Sequence, residues 1–298
     1  MAKARQKKDT AQQTAPKVAI EVRDLVTHYG DRMILNGVNL DIYEGEIMVI
    51  MGGSGSGKST FLRHIMALEI PTSGHVHIFG KDIATITSDE IFEVRKKMGV
   101  AFQGGALFTS MSVGENIKLP LRELTNLDEM TMQIMARLKL EVVDLAGFED
   151  LMPSELSGGM IKRAAMARAV IMDPKVLFCD EPSAGLDPVV SSQLDQLILR
   201  LREAMGMTII VVTHELDSAF TIADRMAMLN KGKMIMVDRR EAYEALRDHP
   251  GDRLDELDED QQLIRQFLRG DPEGPMSETH TENSYEADLL GPDLGKLH

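Results

Sequence analysis

Tryptophan is absent from this 298-residue chain, aromatic residues make up only 4%, and there is a single cysteine, Cys179. A chain this poor in aromatics has little with which to stack nucleic-acid bases. One thiol excludes an internal disulfide and fits a reducing compartment. Long apolar runs are missing too. The longest, such as Ile47–Met51 and Ile209–Val212, are strand-sized and far short of the ~18 residues that span a bilayer, so no direct membrane span is expected. Lys3, Arg5, Lys7 and Lys8 have the charge of a signal-peptide start, but the residues from Asp9 to Thr14 are polar where an apolar core would be needed. Residues 1–16 therefore read as a flexible N-terminal tail.

The length suffices for one large α/β domain or two small ones, and 43% apolar residues is ordinary for a globular protein. The net charge of −14 argues against attraction to nucleic acid or anionic lipid. Between Asp238 and His298 there are 17 acidic and 7 basic residues, so most of the excess negative charge lies at the C-terminal end.

Alternating apolar positions at Val18, Ile20 and Val22, and again at Val38, Leu40 and Ile42, predict strands interrupted near Gly30. Glu46–Met51 is a continuous apolar run of the kind buried on both faces of a parallel sheet. A helix is expected from Lys58 to Leu68, a strand at His75–Phe79, a helix at Ser88–Lys97 and a short strand at Gly99–Gln103. Residues 112–172 are mostly helical in pattern, with breaks near Gly147 and Pro153. Then come a strand at Lys175–Cys179, a helix at Ser191–Ala204, a strand at Met207–Val212, a helix at Leu216–Ala223, and a hairpin of Met226–Leu229 with Lys233–Val237 across Lys231-Gly232. This alternation indicates α/β architecture. No internal repeat is present.

The sequence Gly52-Gly53-Ser54-Gly55-Ser56-Gly57-Lys58-Ser59, followed by Thr60, fits the phosphate-binding pattern between a strand and a helix. The glycines let successive backbone N–H groups converge on phosphate oxygens, and the helix N-terminus adds partial positive charge. Lys58 supplies a mobile charge for the outer phosphates, and the Ser59 hydroxyl suits Mg²⁺. Further on, Val176-Leu-Phe-Cys-Asp180-Glu181 is an apolar strand ending in two carboxylates. Asp180 at the strand tip suits Mg²⁺, directly or through water. Glu181 can orient or deprotonate an attacking water. On its own such an acidic pair equally describes a solvated turn. His214 ends another strand, at the sheet edge where ligands bind in open α/β folds, though a lone histidine there is as readily structural.

Leu156-Ser157-Gly158-Gly159-Met160 resembles the signature of ABC ATPases. With the phosphate loop before it and the Asp180-Glu181 strand after it, the chain resembles that family from about Val18 to Asp248. The resemblance implies a P-loop ATPase with a mainly parallel core sheet, an N-terminal antiparallel β subdomain and an inserted helical subdomain at about 104–172. The ATPase domain would cover 17–250, followed by an acidic extension at 251–298. It also implies a head-to-tail homodimer, with each ATP held between one chain's phosphate loop and the other's Ser157, Gly158 and Gly159. Ser157 and its glycines precede a helix carrying Lys162, Arg163 and Arg168, a second helix start able to accept phosphate. Carried over residue by residue, Tyr29 is similar to the adenine-stacking aromatic, with an ordinary turn residue as the alternative. Gln103 is similar to the residue linking Mg²⁺ and water to the membrane subunit, and Asp187 to the loop coupling the two sites. Glu181 corresponds to the catalytic base and His214 to the γ-phosphate switch.

Met160 stands where the family usually has Gln. Together with Phe102-Gln-Gly-Gly-Ala-Leu-Phe108, Met111-Ser-Val-Gly-Glu-Asn116 and Met152-Pro-Ser-Glu-Leu-Ser157, it resembles the ATPases of Mla-type phospholipid transporters and related Mce systems. So does the tail, with Ile264-Arg-Gln-Phe-Leu268, Gly274-Pro275 and Tyr285-Glu-Ala-Asp-Leu-Leu290. That branch implies a permease dimer, a small STAS-domain subunit, an MCE-domain lipid-binding ring on the periplasmic side, and a place on the cytoplasmic face of the inner membrane. The function implied is phospholipid transport between the inner and outer membranes. The alternatives are an ATPase serving another solute, such as an amino-acid importer, or a soluble ABC protein acting on DNA or ribosomes. One phosphate loop, one signature and no heptads weigh against the last. Residues 271–298 either reach the neighbouring ATPase or are unstructured. Asp252–Asp260 reads as a solvated insertion. His75 and His77 share a strand face but have no third metal ligand in view. Cys179 reads as a small core residue.

Overall fold

The structure is a computed structural model that describes residues 16–275. The N-terminal tail before residue 16 and the tail segment Tyr285–Leu290 lie outside the described residues.

The chain opens with two long strands, β1 (Val18–Tyr29) and β2 (Arg32–Tyr43), joined by a tight turn at Gly30-Asp31. Tyr29 pairs with Arg32 and Val22 with Leu40, so the alternating apolar residues fall on one face. A five-residue strand, β3 (Ile47–Met51), leads into the phosphate loop and α1 (Lys58–Ile65). β4 (Ser73–Ile78) and β5 (Lys81–Asp82) return to β1 and complete an antiparallel sheet in the order β2-β1-β4-β5. α2 (Ser88–Arg95) starts in a capping box between Thr87 and Glu90 and feeds β6 (Met98–Ala101).

Three helices follow as one excursion: α3 (Val113–Leu124), α4 (Glu129–Val142) and α5 (Gly158–Ala169). Ser112 and Glu115 close a capping box on α3, and Asp128 caps α4. The helical stretch therefore breaks at Thr125–Asp128 as well as in the region of Gly147 and Pro153. The core resumes with β7 (Val176–Asp180), α6 (Pro188–Met205), β8 (Thr208–Val212), α7 (Leu216–Ile222), β9 (Arg225–Asn230) and β10 (Lys233–Arg239). These strands form a sheet in the order β10-β9-β3-β8-β7-β6, parallel except for β10.

The continuous apolar runs follow from this placement. Within β3, Ile47, Val49 and Met51 join the core under the helices, while Met48 and Ile50 join the core beneath the antiparallel sheet. β8 divides the same way, with Ile209 and Val211 on one side and Ile210 and Val212 on the other. A strand buried on both faces has no polar position to alternate with. Cys179 lies in this core, and burial pushes its thiol up to about 12, so it stays protonated and unreactive.

The Lys231-Gly232 turn does more than close the β9–β10 hairpin. Gly232 N–H donates to Ser56 O at 2.9 Å, and its carbonyl accepts from Asn36 N–H at 2.8 Å. A Cβ there would lie 2.3 Å from Ile34 O. One glycine thus ties the phosphate loop to the antiparallel sheet.

At the C-terminal side, α8 (Arg240–Arg247) packs against α9 (Glu259–Arg269). The acidic stretch is not a plain solvated insertion. Gly251–Glu256 forms a 3-10 turn, Asp258 caps α9 in a capping box with Gln261, and Glu259 and Asp260 occupy its first turn. Carboxylates at a helix N-terminus favour the helix electrostatically. Ile264 and Leu268 carry α9 into the main core.

Candidate functional site

The phosphate loop leaves the C-terminal end of β3 and is shaped by its glycines. A Cβ on Gly52 would sit 2.1 Å from Leu229 O and 2.8 Å from Ser56 Oγ, and one on Gly57 would lie 2.9 Å from Leu35 Cδ2. Gly57 occupies the N-cap of α1 with φ +105° and offers no side chain to the first-turn N–H groups, which leaves them for a ligand. Gly53, Ser54 and Gly55 form the outer turn of the loop, and Ser59 and Thr60 open α1. Lys58 Nζ donates to Gly52 O at 2.7 Å and Gly53 O at 3.0 Å, which folds its side chain back over the loop. Burial lowers the Lys58 pKa, and the Glu181 and Asp180 carboxylates work against that shift. The side-chain oxygen of Ser56 is buried with no partner.

β7 delivers the two carboxylates beside this loop. Burial and the neighbouring Glu181 raise the Asp180 pKa. Glu181 is a non-glycine residue with φ +47°, and its N–H donates to Val212 O at 2.8 Å. Left-handed backbone of this kind costs about 1–3 kcal/mol and persists where the surroundings enforce it, commonly at functional sites. Glu181 Oε1 lies 2.8 Å from His214 Nδ1, and His214 N–H lies 3.4 Å from Oε2. Glu181 is largely enclosed, whereas the imidazole is open to solvent. Parallel strands β7 and β8 are adjacent, which brings residues 33 positions apart into contact.

These features fit the cofactor set expected of the sequence. An orphaned buried hydroxyl, uncapped helix N–H groups and an enclosed pair of carboxylates that repel each other all suit a phosphate group with a divalent cation. The oxygens of Ser59, Gln103 and Asp180 are hard donors appropriate to Mg²⁺. Among the described residues, no cluster of three His, Cys, Asp or Glu forms a metal site by itself. His75 pairs with Asp82 and His77 with Glu21.

The signature segment opens α5. Ser157 caps α5, its Oγ accepting from Met160 N–H at 3.3 Å. Ser157 and Gly158 are exposed, while Gly159 is buried against Val190, whose Cγ1 would be 2.5 Å from an added Cβ. Met160 packs into the edge of the core. Asp187 caps α6, accepting from Val189 N–H at 3.0 Å and Val190 N–H at 3.1 Å. Lys162 and Arg168 do not point toward a phosphate at the helix start. Lys162 donates to the carbonyls of Gln103 and Glu181, and Arg168 to those of Gly105 and Ala106. Lys162 and Arg168 therefore hold the loop after β6, and Lys162 also the turn after β7. Gln103 itself is exposed. Tyr29 is half-exposed, and its hydroxyl donates to Glu69 Oε2 at 2.8 Å.

Two buried polar residues have partners that the sequence does not announce. Asn116 is fully buried; its Oδ1 accepts from Phe108 N–H, and its Nδ2 donates to the carbonyls of Phe108, Met111 and Ser112. It fixes the loop joining β6 to the helices. Asp195 is a buried carboxylate on α6 that accepts from Ser218 Oγ at 2.9 Å; Ser218 also lies 3.4 Å from Ser183 Oγ. Burial raises the Asp195 pKa to about 6, with the Ser218 hydrogen bond acting the other way.

The ABC transporter family model matches residues 35–184. The intermembrane phospholipid transport system ATP-binding protein MlaF of Haemophilus influenzae is 40% identical over 91% of this chain and 98% of its own length. The probable ribonucleotide transport ATP-binding protein mkl of Mycobacterium leprae is 41% identical over 92% of this chain and 76% of its own. Among solved structures, cbiO1 from Clostridium perfringens, part of the transporter complex cbiONQ, matches with a TM-score of 0.72, 30% identity, 77% of this chain and 91% of that one. The dimeric cassette MJ0796 in a post-hydrolysis state with ADP and Pi matches at TM-score 0.68 and 32% identity over 74% and 98%. The order of phosphate loop, signature and paired carboxylates, set on this sheet, makes the chain a member of the ABC transporter family, an ABC-type ATPase that hydrolyses ATP.

Proposed function

We propose that this chain is the ATPase subunit of a phospholipid-transporting ABC system that works between the inner and outer membranes. The observation that carries the chemistry is the Glu181–His214 contact at the ends of β7 and β8, beside the phosphate loop. Glu181, enclosed and held by His214, orients and deprotonates the attacking water. Lys58 leaves the loop carbonyls to bind the β- and γ-phosphates, while loop N–H groups from Gly53 to Thr60 hold the remaining oxygens. His214, exposed on its outer side, is placed to sense the γ-phosphate. Tyr29, braced by Glu69, stacks on adenine. Mg²⁺, held by Ser59 and Asp180 with Gln103 nearby, would supply charge neutralisation at the phosphates.

Ser157, Gly158 and Gly159 complete the site of a second copy, whose Asp187 loop lies alongside, so the working unit is a homodimer. No helix among the described residues is long and apolar enough to cross a membrane, so membrane partners must do so. A groove of about 430 Å³ beside Gln103, lined by Phe102, Phe108, Leu119, Pro120 and Met172, offers an apolar seat for the permease. The likeness to MlaF and the Met160-bearing signature support a permease dimer, a STAS-domain subunit, a periplasmic MCE ring and a position on the cytoplasmic face of the inner membrane. The similarity to mkl favours a second cargo, a ribonucleotide, as the alternative.

Glu181→Gln is expected to bind ATP, lose turnover and accumulate a closed dimer visible by size-exclusion chromatography; hydrolysis at the parent rate would remove Glu181 from its role. Mild-detergent isolation from native membranes with mass spectrometry tests the cargo. A permease with a STAS-domain protein and phospholipid supports the lipid reading, and a permease with another solute-binding protein overturns it.

A further inference from the structure

Lys162 lies in the second turn of α5, behind the signature glycines. Its ammonium donates to two main-chain carbonyls from separate segments, that of Gln103 and, at 3.1 Å, that of Glu181. Arg168, farther along α5, holds Gly105 O at 2.9 Å and Ala106 O at 2.7 Å. The helix therefore grips the loop after β6 along its length, and through Lys162 it also hydrogen-bonds the turn after β7.

The turn it grips is the strained one. Glu181 is left-handed at φ +47°, fixed on its N-terminal side by the bond to Val212 O, while its own carbonyl accepts from Lys162 at 3.1 Å and, less closely, from Ala184 N–H at 3.3 Å. With both of its flanking peptide groups held, the carboxylate is aimed at His214, 2.8 Å away. A charge-assisted bond to a carbonyl is roughly twice as strong as a neutral one, which suits it to hold an unfavourable backbone state.

We propose that Lys162 is a positioning residue for hydrolysis: it fixes the backbone of Glu181 and couples it to Gln103 and the signature helix of the same chain. This rests on the reading of Glu181 as the water-activating group. Both hydrogen bonds of the Lys162 ammonium go to main-chain carbonyls. Its removal lets Glu181 relax out of the left-handed state and swings the carboxylate off His214, while the nucleotide still binds.

The test measures ATP hydrolysis by the full-length chain. Lys162→Met is expected to lower kcat about tenfold or more with KM for ATP changed by less than about twofold. Lys162→Arg, which keeps a charged donor, restores most of the rate. In a Glu181→Gln background, Lys162→Met causes no further loss, because the group it positions is already gone. If Lys162→Met fails to fold, Lys162→Gln, too short to reach both carbonyls, is expected to show the same kcat loss. A parent-like kcat in Lys162→Met or Lys162→Gln overturns the proposal, as does a joint fall in kcat, ATP affinity and thermal midpoint with no rescue by Arg. Glu181→Gln active at the parent rate removes the underlying reading; Glu181→Gln inactive beside a fully active Lys162→Met removes only the role of Lys162.

Discussion

Two glycine-rich helix starts in this chain look alike in sequence and differ in construction. The phosphate loop ends at Gly57, which caps α1 with no side chain, and it is enclosed by its own fold: Gly52 against Leu229, Gly57 against Leu35, and Ser56 O bound by Gly232. Its cation, Lys58, rests on the loop's own carbonyls. The signature start at Ser157 caps itself, stays exposed, and has its nearby cations turned inward to other loops. The first has the build of a self-contained anion site. The second is open on its outer side, which accords with the proposal that it completes the site of another copy of the chain.

Lys58→Ala should break the first site most severely. Loss of the phosphate-binding charge is expected to reduce ATP turnover by on the order of 10²–10³-fold, measured as phosphate release; near-normal turnover would exclude Lys58 from the phosphates. Replacements at the second site should separate folding from pairing. At Gly159 a Cβ meets Val190, so Gly159→Ala is expected to destabilise the chain by about 1–3 kcal/mol in denaturant titration, as overpacking does. Its neighbour Gly158 has only Leu186 at 3.6 Å. Gly158→Ala should therefore leave stability within about 0.5 kcal/mol while lowering ATP-driven dimerisation, and an equal stability loss at both positions would erase the distinction.

A smaller effect comes from Asp195, which belongs to neither glycine loop. Its folded-state pKa of about 6 is above the unfolded carboxylate value, so the folded state holds the proton more tightly. That stability is present at low pH and is lost as pH rises from about 4 through about 6. Asp195→Asn keeps the acceptor for Ser218 without the charge. It is expected to match the parent near pH 4 and to exceed it at pH 8 by up to about 2 kcal/mol, read from thermal midpoints at the two pH values. No difference at pH 8 would show that Asp195 is well solvated when ionised.

The parts legible in the sequence were those set by local pattern. β3 and β8 announced themselves as unbroken apolar runs, and the phosphate loop by its glycine spacing. The hairpin at Lys231-Gly232 followed from turn chemistry. Helices α8 and α9 were not legible because they bury only a few apolar residues, such as Tyr243, Leu246, Ile264 and Leu268, among many charges. The charge of Lys162 is visible in the sequence but its partners are not, since they are carbonyls from the segments that follow β6 and β7, far away in sequence. Asp195 has no signal in the sequence, and Asn116 stands in a recognisable motif without a visible role, for the same reason: a buried polar residue is explained by partners that only the fold supplies.

The position of Gly232 bears on the order in which the molecule can form. β3 pairs with β8 and β9, both more than 150 residues downstream, and Gly232 closes the phosphate loop onto the antiparallel sheet. A nascent chain that has emerged as far as the signature helix carries the entire phosphate-loop sequence but none of the strands that flank β3. During synthesis the loop therefore lacks both its flanking strands and the Gly232 contact until β9 and its turn have left the ribosome, so its setting is complete only when nearly the whole domain is there.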